Sequence, residues 1–369
     1  TDARKSGWLP PSVNLDSKSG LQFSMPYYWN IAPNRDATLT PLLSAKRGVG
    51  AETEFRYLEP RYQGTANLHL LPNDRLTGRS RYALNLAHES ELPLGATMQF
   101  TGLRVSDDAY WKDFPRAVAS VTPRLLATDL QAKRLFGDWT SYARVQRWQV
   151  LQDDASRIES PYDRAPQVGL RGIHRAGQGF EIAFETELNR FAEPTDGRGD
   201  LLAEARPVGV RWHALGSVAR PFVAPGWTLT PRLSLNAAAY SLDEPLGGRR
   251  GLSRAIPTFS VDSQWQLERE ANWFGRDVRQ TLEPRLMYVN TPYRDQRLLP
   301  NYDSAASDFN FTSIYLENAF VGQDRISDSN LLTLGVSSRL QDLASGAELA
   351  RFGVAQRLRF KDQNVTLPN

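Results

Sequence analysis

A chain of 369 residues with 41% hydrophobic and 23% charged residues is too apolar to be disordered and too regularly charged to be a bundle of membrane helices. Its 44 basic and 41 acidic residues nearly cancel and are scattered, which excludes the clustered basic footprint of a nucleic-acid binder. There is no cysteine, so disulfides and thiolate metal sites are excluded within the chain.

No apolar run approaches the roughly 18 residues of a transmembrane helix. A membrane-spanning form must then be a β-barrel, the other arrangement that satisfies backbone hydrogen bonds in lipid. The chain opens at Thr1 with no signal peptide, which reads as a mature form or a chain cut at both ends.

From the N-terminus, Ser17 to Gly20 reads as a turn. A hairpin centred between Lys18 and Ser19 sets Pro11 opposite Pro26, and neither proline can donate to a strand ladder. Tyr27, Tyr28 and Trp29 follow as an aromatic cluster at a strand end, of the kind found in interfacial girdles, with Tyr110-Trp111 and Trp273-Phe274 as further examples.

Alternation then dominates. Phe55 and Tyr57 oppose Glu54 and Arg56, and Tyr82, Leu84 and Leu86 oppose Arg81, Asn85 and Glu89. Phe180, Ile182, Phe184 and Leu188 oppose Glu181, Glu185, Glu187 and Asn189; Phe259, Val261, Trp265 and Leu267 oppose Asp262, Gln264 and Glu268. Near the end, Phe352, Val354, Leu358 and Phe360 oppose Arg351, Arg357 and Arg359. Helical spacing is nowhere sustained, so the chain is expected to be all β.

Breaks fall at Arg47-Gly48, Asn73-Asp74, Ala176 to Gly179, Glu193 to Asp200, Asp243 to Gly251 and Ser345-Gly346, with longer loops at Ser106 to Arg116, Gln152 to Pro166 and Thr291 to Ser313. The segments between them number about 16 or 17 strands, many near the roughly 9 to 11 residues of a tilted membrane strand. A soluble antiparallel sandwich would alternate too. Long strands, and the lack of any boundary dividing the chain into sandwich-sized pieces, favour the transmembrane antiparallel β-barrel.

Chemistry is hard to find. The four histidines, His69, His88, His174 and His213, lie at no metal-ligand or triad spacing and read as strand residues. Asp107-Asp108 and Asp153-Asp154 read as solvated loop charges, and Gly197 to Asp200 as a chance Gly-rich string. No phosphate-cradling loop, nucleophile elbow or zinc signature is present. No enzyme, cofactor or metal is expected.

Several segments resemble the LPS-assembly outer-membrane protein family, also called the organic-solvent-tolerance protein family. The most specific is Pro26-Tyr27-Tyr28-Trp29-Asn30-Ile31-Ala32-Pro33-Asn34, after Ser6-Gly7-Trp8-Leu9 and before Asp36 to Pro41. Others are Glu54 to Leu58 after Arg47-Gly48, Pro257 to Ser263, Gln280 to Arg285, Pro292 to Gln296, Asp324 to Asn330, Leu334 to Arg339 and Gly353 to Gln356. They keep the family's order along nearly the whole chain, although the stretch from about Thr101 to Gly251 matches only in strand rhythm.

The resemblance implies that residues 1–369 form part of a barrel of about 26 strands, without the periplasmic jellyroll domain that precedes it, the remaining strands or the family's paired cysteines. Alone, such an excerpt is expected not to close. It also implies a translocon, which receives lipopolysaccharide from a periplasmic bridge, passes its sugars through a lumen holding a plug lipoprotein, and releases its lipid sideways into the outer membrane.

On that reading the polar residues Glu54, Arg56, Glu185, Asp262, Gln264, Glu283 and Arg285 are candidates to line the lumen, each being as easily a merely hydrated wall. Pro11 and Pro26 are candidates for the lateral gate, the alternative being two prolines that mark strand ends. The rivals in other classes are a general outer-membrane porin and a soluble carbohydrate-binding sandwich.

Overall fold

The computed structural model describes residues 4–114, 124–194, 206–273 and 275–368. The chain divides into two compact units, one of Thr1–Phe136, Thr140–Val168 and Asn189–Val208, the other of Gly137–Trp139, Gly169–Leu188 and Gly209–Asn369.

The first unit opens with β1 (Gly7–Trp8), β2 (Ser12–Asp16), β3 (Gly20–Ser24), β4 (Tyr27–Ala32) and β5 (Arg35–Ser44). Next come β6 (Gly48–Glu59), β7 (Tyr62–Asp74), β8 (Arg79–Leu92), β9 (Ala96–Val105) and β10 (Leu125–Phe136). From β5 to β10 each strand pairs antiparallel with the next. β1 and β2 act as one interrupted strand along β4 and β3, both of which lie on β5. Gly20, at φ 73°, takes the left-handed conformation that ends the first turn.

The division between units runs through β11 (Trp139–Val150), β12 (Asp163–Ala176) and β13 (Phe180–Ala192). In the second unit, β14 (Gly209–Ala219) and β15 (Phe222–Ala224) pair in turn with β16 (Trp227–Leu246), which pairs with β17 (Arg249–Trp265). β17 and β18 (Leu267–Trp273) share β19 (Arg276–Thr291). A hairpin of β20 (Ala305–Ala306) and β21 (Phe320–Val321) stands apart, and β22 (Ser329–Asp342) and β23 (Glu348–Arg359) finish the meander.

Twenty-one strand pieces belong to the main antiparallel sheet pairing among the described residues. Four of them continue a broken neighbour, namely β2, β4, β15 and β18, which leaves 17 passes and agrees with the expected number. No partner is described for the outer edge of β23, so the sheet does not close through it. The one α-helix among the described residues is a single turn, Tyr110–Asp113.

Several boundaries differ from expectation: Asn73 and Asp74 still belong to β7, and β12 begins at Asp163, inside the loop read as Gln152 to Pro166. The break read at Asp243 to Gly251 shrinks to Gly247-Gly248, because a register shift between Ser241 and Leu246 lets β16 bulge and run on. The loop read as Thr291 to Ser313 runs on until β22 begins at Ser329. The Gly197 to Asp200 string and Phe274 lie outside the described residues.

Register shows which face is which. Leu39 lies across Thr53, Thr53 across Leu68 and Leu68 across Leu84; in the second unit Val261 lies across Tyr288, Tyr288 across Leu332 and Leu332 across Leu358. This face is apolar yet open, with Leu15 80%, Val354 67% and Phe352 64% exposed. The opposite face holds charges shut away from solvent, including Arg81, Asp74 and Arg211. A soluble sandwich buries the apolar face and wets the polar one. The pattern is inverted, as in a wall with lipid outside and a polar interior.

Candidate functional site

All seven candidate lumen residues fall on the charged face. In the first unit, Arg56 on β6 makes two hydrogen bonds to Asp36 across the strand pair, at 2.8 and 2.9 Å, and lies 3.5 Å from Glu54. Tyr28 donates to the same Asp36 at 3.2 Å. Arg56 and Asp36 border a cavity of about 490 Å³ lined also by Gln63 and Glu89.

In the second unit, Arg285 on β19 bonds Asp262 on β17 at 2.8 and 3.0 Å, and Gln264 donates to that carboxylate. Glu283 accepts from Arg339, Thr281 and Ser337. Glu185 accepts from the Gln323 amide at 3.3 Å. Cross-strand pairing explains the Arg56–Asp36, Arg285–Asp262 and Arg339–Glu283 contacts: opposite charges on one face of neighbouring strands fall within reach of each other.

The aromatic triplet divides. Tyr27 and Trp29 lie across Leu39 and Ala37 on the apolar face, and Tyr27 meets Trp8 edge to face at 5.1 Å. Tyr28 turns to the charged face. The first hairpin pairs one residue out of the expected register, from Asp16↔Gly20 to Ser12↔Ser24, so the ladder, if continued, would set Pro11 across from Met25 and Pro26 across from Pro10. The tighter Ser17 to Ser19 turn, closed by Lys18 and Ser19 amides on the Asp16 carboxylate, causes the shift. The ladder lapses between Ser12–Ser24 and Trp8–Tyr27, where the Leu9 amide donates to the Pro26 carbonyl at 2.9 Å.

Two buried ionic clusters escaped the sequence reading. In the first unit Arg81 reaches Asp107, Asp113 and Asp74, and Arg47 reaches Asp74 at 2.6 Å, with Phe114 against both guanidinium groups. Asp107, expected to be solvated, instead ties the loop after β9 to the wall. Asp153 bonds Lys112 at 2.6 Å, whereas Asp154 is open to solvent as expected.

In the second unit Arg211 on β14 donates to Asp303 and Asp324 at 2.9 Å each and lies 3.4 Å from Glu187. Asp324 also accepts from Tyr240 and from the amides of Tyr302 and Asp303. Burial favours the neutral form of Asp303, but the Arg211 guanidinium outweighs it and holds the carboxyl below the usual carboxylate range. Burial wins at Asp324, whose pKa is raised.

The motif Asp324 to Asn330 thus anchors the end of the 292–328 connection and leads into β22. Arg325 donates to the Leu299 and Pro300 carbonyls, Ser304 accepts from the Asp324 and Arg325 amides, and Asp328 accepts from Asn364 and Val365. The missed signal was a run of charged and hydroxyl residues, Asp324 to Ser329, broken only by Ile326. What the arrangement can do is hold a polar, ion-paired interior with a folded connection against it.

Similar proteins carry the same stretch. The family model described as LptD, LPS transport system D, matches residues 79–369. An LPS-assembly protein LptD of Albidiferax ferrireducens is 50% identical over 378 residues, covering 100% of this chain and 47% of that protein. The protein of the same name from Acidovorax is 49% identical over 381 residues, covering 100% and 46%. The chain therefore spans a little under half the length of these relatives. A BenF-like porin from Pseudomonas fluorescens is 10% identical at a TM-score of 0.32, covering 95% of this chain and 96% of that one, a likeness too distant to argue from.

Proposed function

The chain belongs to the LptD family of LPS-transport proteins, and from that premise we propose that it forms a large part of the barrel wall of a translocon that delivers lipopolysaccharide to the outer leaflet. Its compartment is the outer membrane of a Gram-negative bacterium. The observation that carries the reading is the inverted wall: an open apolar face backed by a buried, ion-paired polar face. Such a wall keeps sugars wet on one side and acyl chains in hydrocarbon on the other.

Transport on this reading makes and breaks no bond. Lipopolysaccharide arrives along a periplasmic bridge, a plug lipoprotein occupies the lumen, and Glu54, Arg56, Glu185, Asp262, Gln264, Glu283 and Arg285 form the wet wall. The lipid leaves beside the first strand, where Pro11 and Pro26 interrupt the ladder.

Depletion of the full-length protein, followed by surface labelling of newly made lipopolysaccharide, tests the reading. Labelling should fall on depletion and return with the wild-type gene. Unchanged labelling, with small-solute flux lost instead, would favour the porin.

A further inference from the structure

The second unit holds a cavity of about 480 Å³ between the β16, β17, β19 and β22 wall and the loop segment around Phe311 and Tyr315. Its charged lining is self-neutralised, with Arg285 paired to Asp262 at 2.8 Å and Arg339 to Glu283 at 2.6 Å. Gln264, Thr281 and Ser337 fix the two carboxylates further. The walls therefore present oriented donors and acceptors with no unpaired cation, and a phosphate would have to break an existing pair to bind.

The roof is aromatic. Phe311 packs over Gly353, where a Cβ would lie 2.8 Å from two atoms of its ring, yet the residue stays 44% exposed. Tyr315 lies over Gly335, and the Arg285 guanidinium sits 4.2 Å from the centre of its ring. Two glycines on the wall thus seat two rings, and Phe311 borders the cavity. An open ring beside fixed, neutralised polar pairs suits a sugar: the C–H face lies on the ring and the hydroxyls meet planar polar groups.

We infer that this cavity is a subsite for an uncharged hexose unit, with Phe311 as its stacking platform and Gln264 as a hydroxyl partner. The inference rests on the translocon reading and names where that translocon holds its glycan.

The test is titration of the purified full-length protein with maltotriose, followed by saturation-transfer NMR. Wild type should saturate the sugar's ring protons, Phe311→Ala should weaken binding about tenfold, and Phe311→Trp should keep it. Inorganic phosphate should fail to displace the sugar. Should Phe311→Ala not fold, Gln264→Ala provides the second variant, expected to weaken binding severalfold. Equal binding by wild type and the folded variants, or displacement by phosphate, overturns the subsite. The two readings fail separately. A protein that delivers lipopolysaccharide but ignores maltotriose overturns the subsite alone; one that binds maltotriose but has no part in delivery overturns the translocon.

Discussion

Arg211 on β14 donates to Asp324, 113 residues further along the chain, at 2.9 Å, and neither side chain has more than 1% of its surface in solvent. Asp303 completes the fork. Removing the cation with Arg211→Met would leave two buried acids without the guanidinium that neutralises them, a change that costs about 3–5 kcal/mol. The expected result is new protease cuts within 292–328 in the full-length protein while the strands stay protected. Adding Asp324→Asn should recover part of the loss, since one buried charge is removed. A variant as resistant as wild type would mean that the cluster does not hold the connection.

The assignment of faces predicts unequal tolerance of arginine. Val261 and Phe184 lie on the open apolar face, Gln264 and Glu185 on the charged one. A charge at the lipid midplane costs about 2–4 kcal/mol and little on the luminal side. Val261→Arg and Phe184→Arg should therefore reduce the amount of assembled barrel far more than Gln264→Arg and Glu185→Arg, as read by heat-modifiable mobility. Equal yields from both sets would contradict the assignment.

How much of this was legible depended on sequence distance. The Val261, Tyr288, Leu332 face follows from a two-residue period, which needs no knowledge of partners. The Asp16 to Gly20 turn shows the limit: one residue of register separates the expected Ser12 opposite Met25 from the observed Ser12 opposite Ser24, and only the Asp16 carboxylate capping Lys18 and Ser19 decides it. Arg211 and Asp324 were unreadable as a pair, because nothing local in either segment specifies a partner 113 residues away. Asp107 misled for the same reason, looking solvated until Arg81 met it.

Gly335 and Gly353 should resist enlargement. A Cβ at Gly335 would collide with the Tyr315 hydroxyl and stand 2.9 Å from the Ala355 Cβ, whereas one at Gly251 would meet nothing within 4 Å. Overpacking of this kind costs about 1–3 kcal/mol. Gly335→Val and Gly353→Val should lower the temperature at which the folded full-length barrel is lost, and Gly251→Ala should leave it unchanged. A Gly335→Val barrel as heat-resistant as wild type would show that Tyr315 does not need its notch.

The first hairpin gives the most specific prediction. Between Ser12–Ser24 and Trp8–Tyr27 the described ladder lapses, and Pro10, Pro11 and Pro26 lie in or beside the gap. None of the three has an amide hydrogen to donate, so the gap cannot heal by a small backbone shift. Each restored bond would contribute about 0.5–1.5 kcal/mol, so the prolines keep this strand pair loose without unfolding it. Replacing Pro11 and Pro26 together with Thr should extend the ladder and stiffen the hairpin. On the gate reading, the double variant assembles in wild-type amounts, exchanges the amides around Leu9 and Met25 more slowly, and delivers lipopolysaccharide to the surface more slowly. Slower exchange with delivery at the wild-type rate would mean that the hairpin tightened and the exit lies elsewhere.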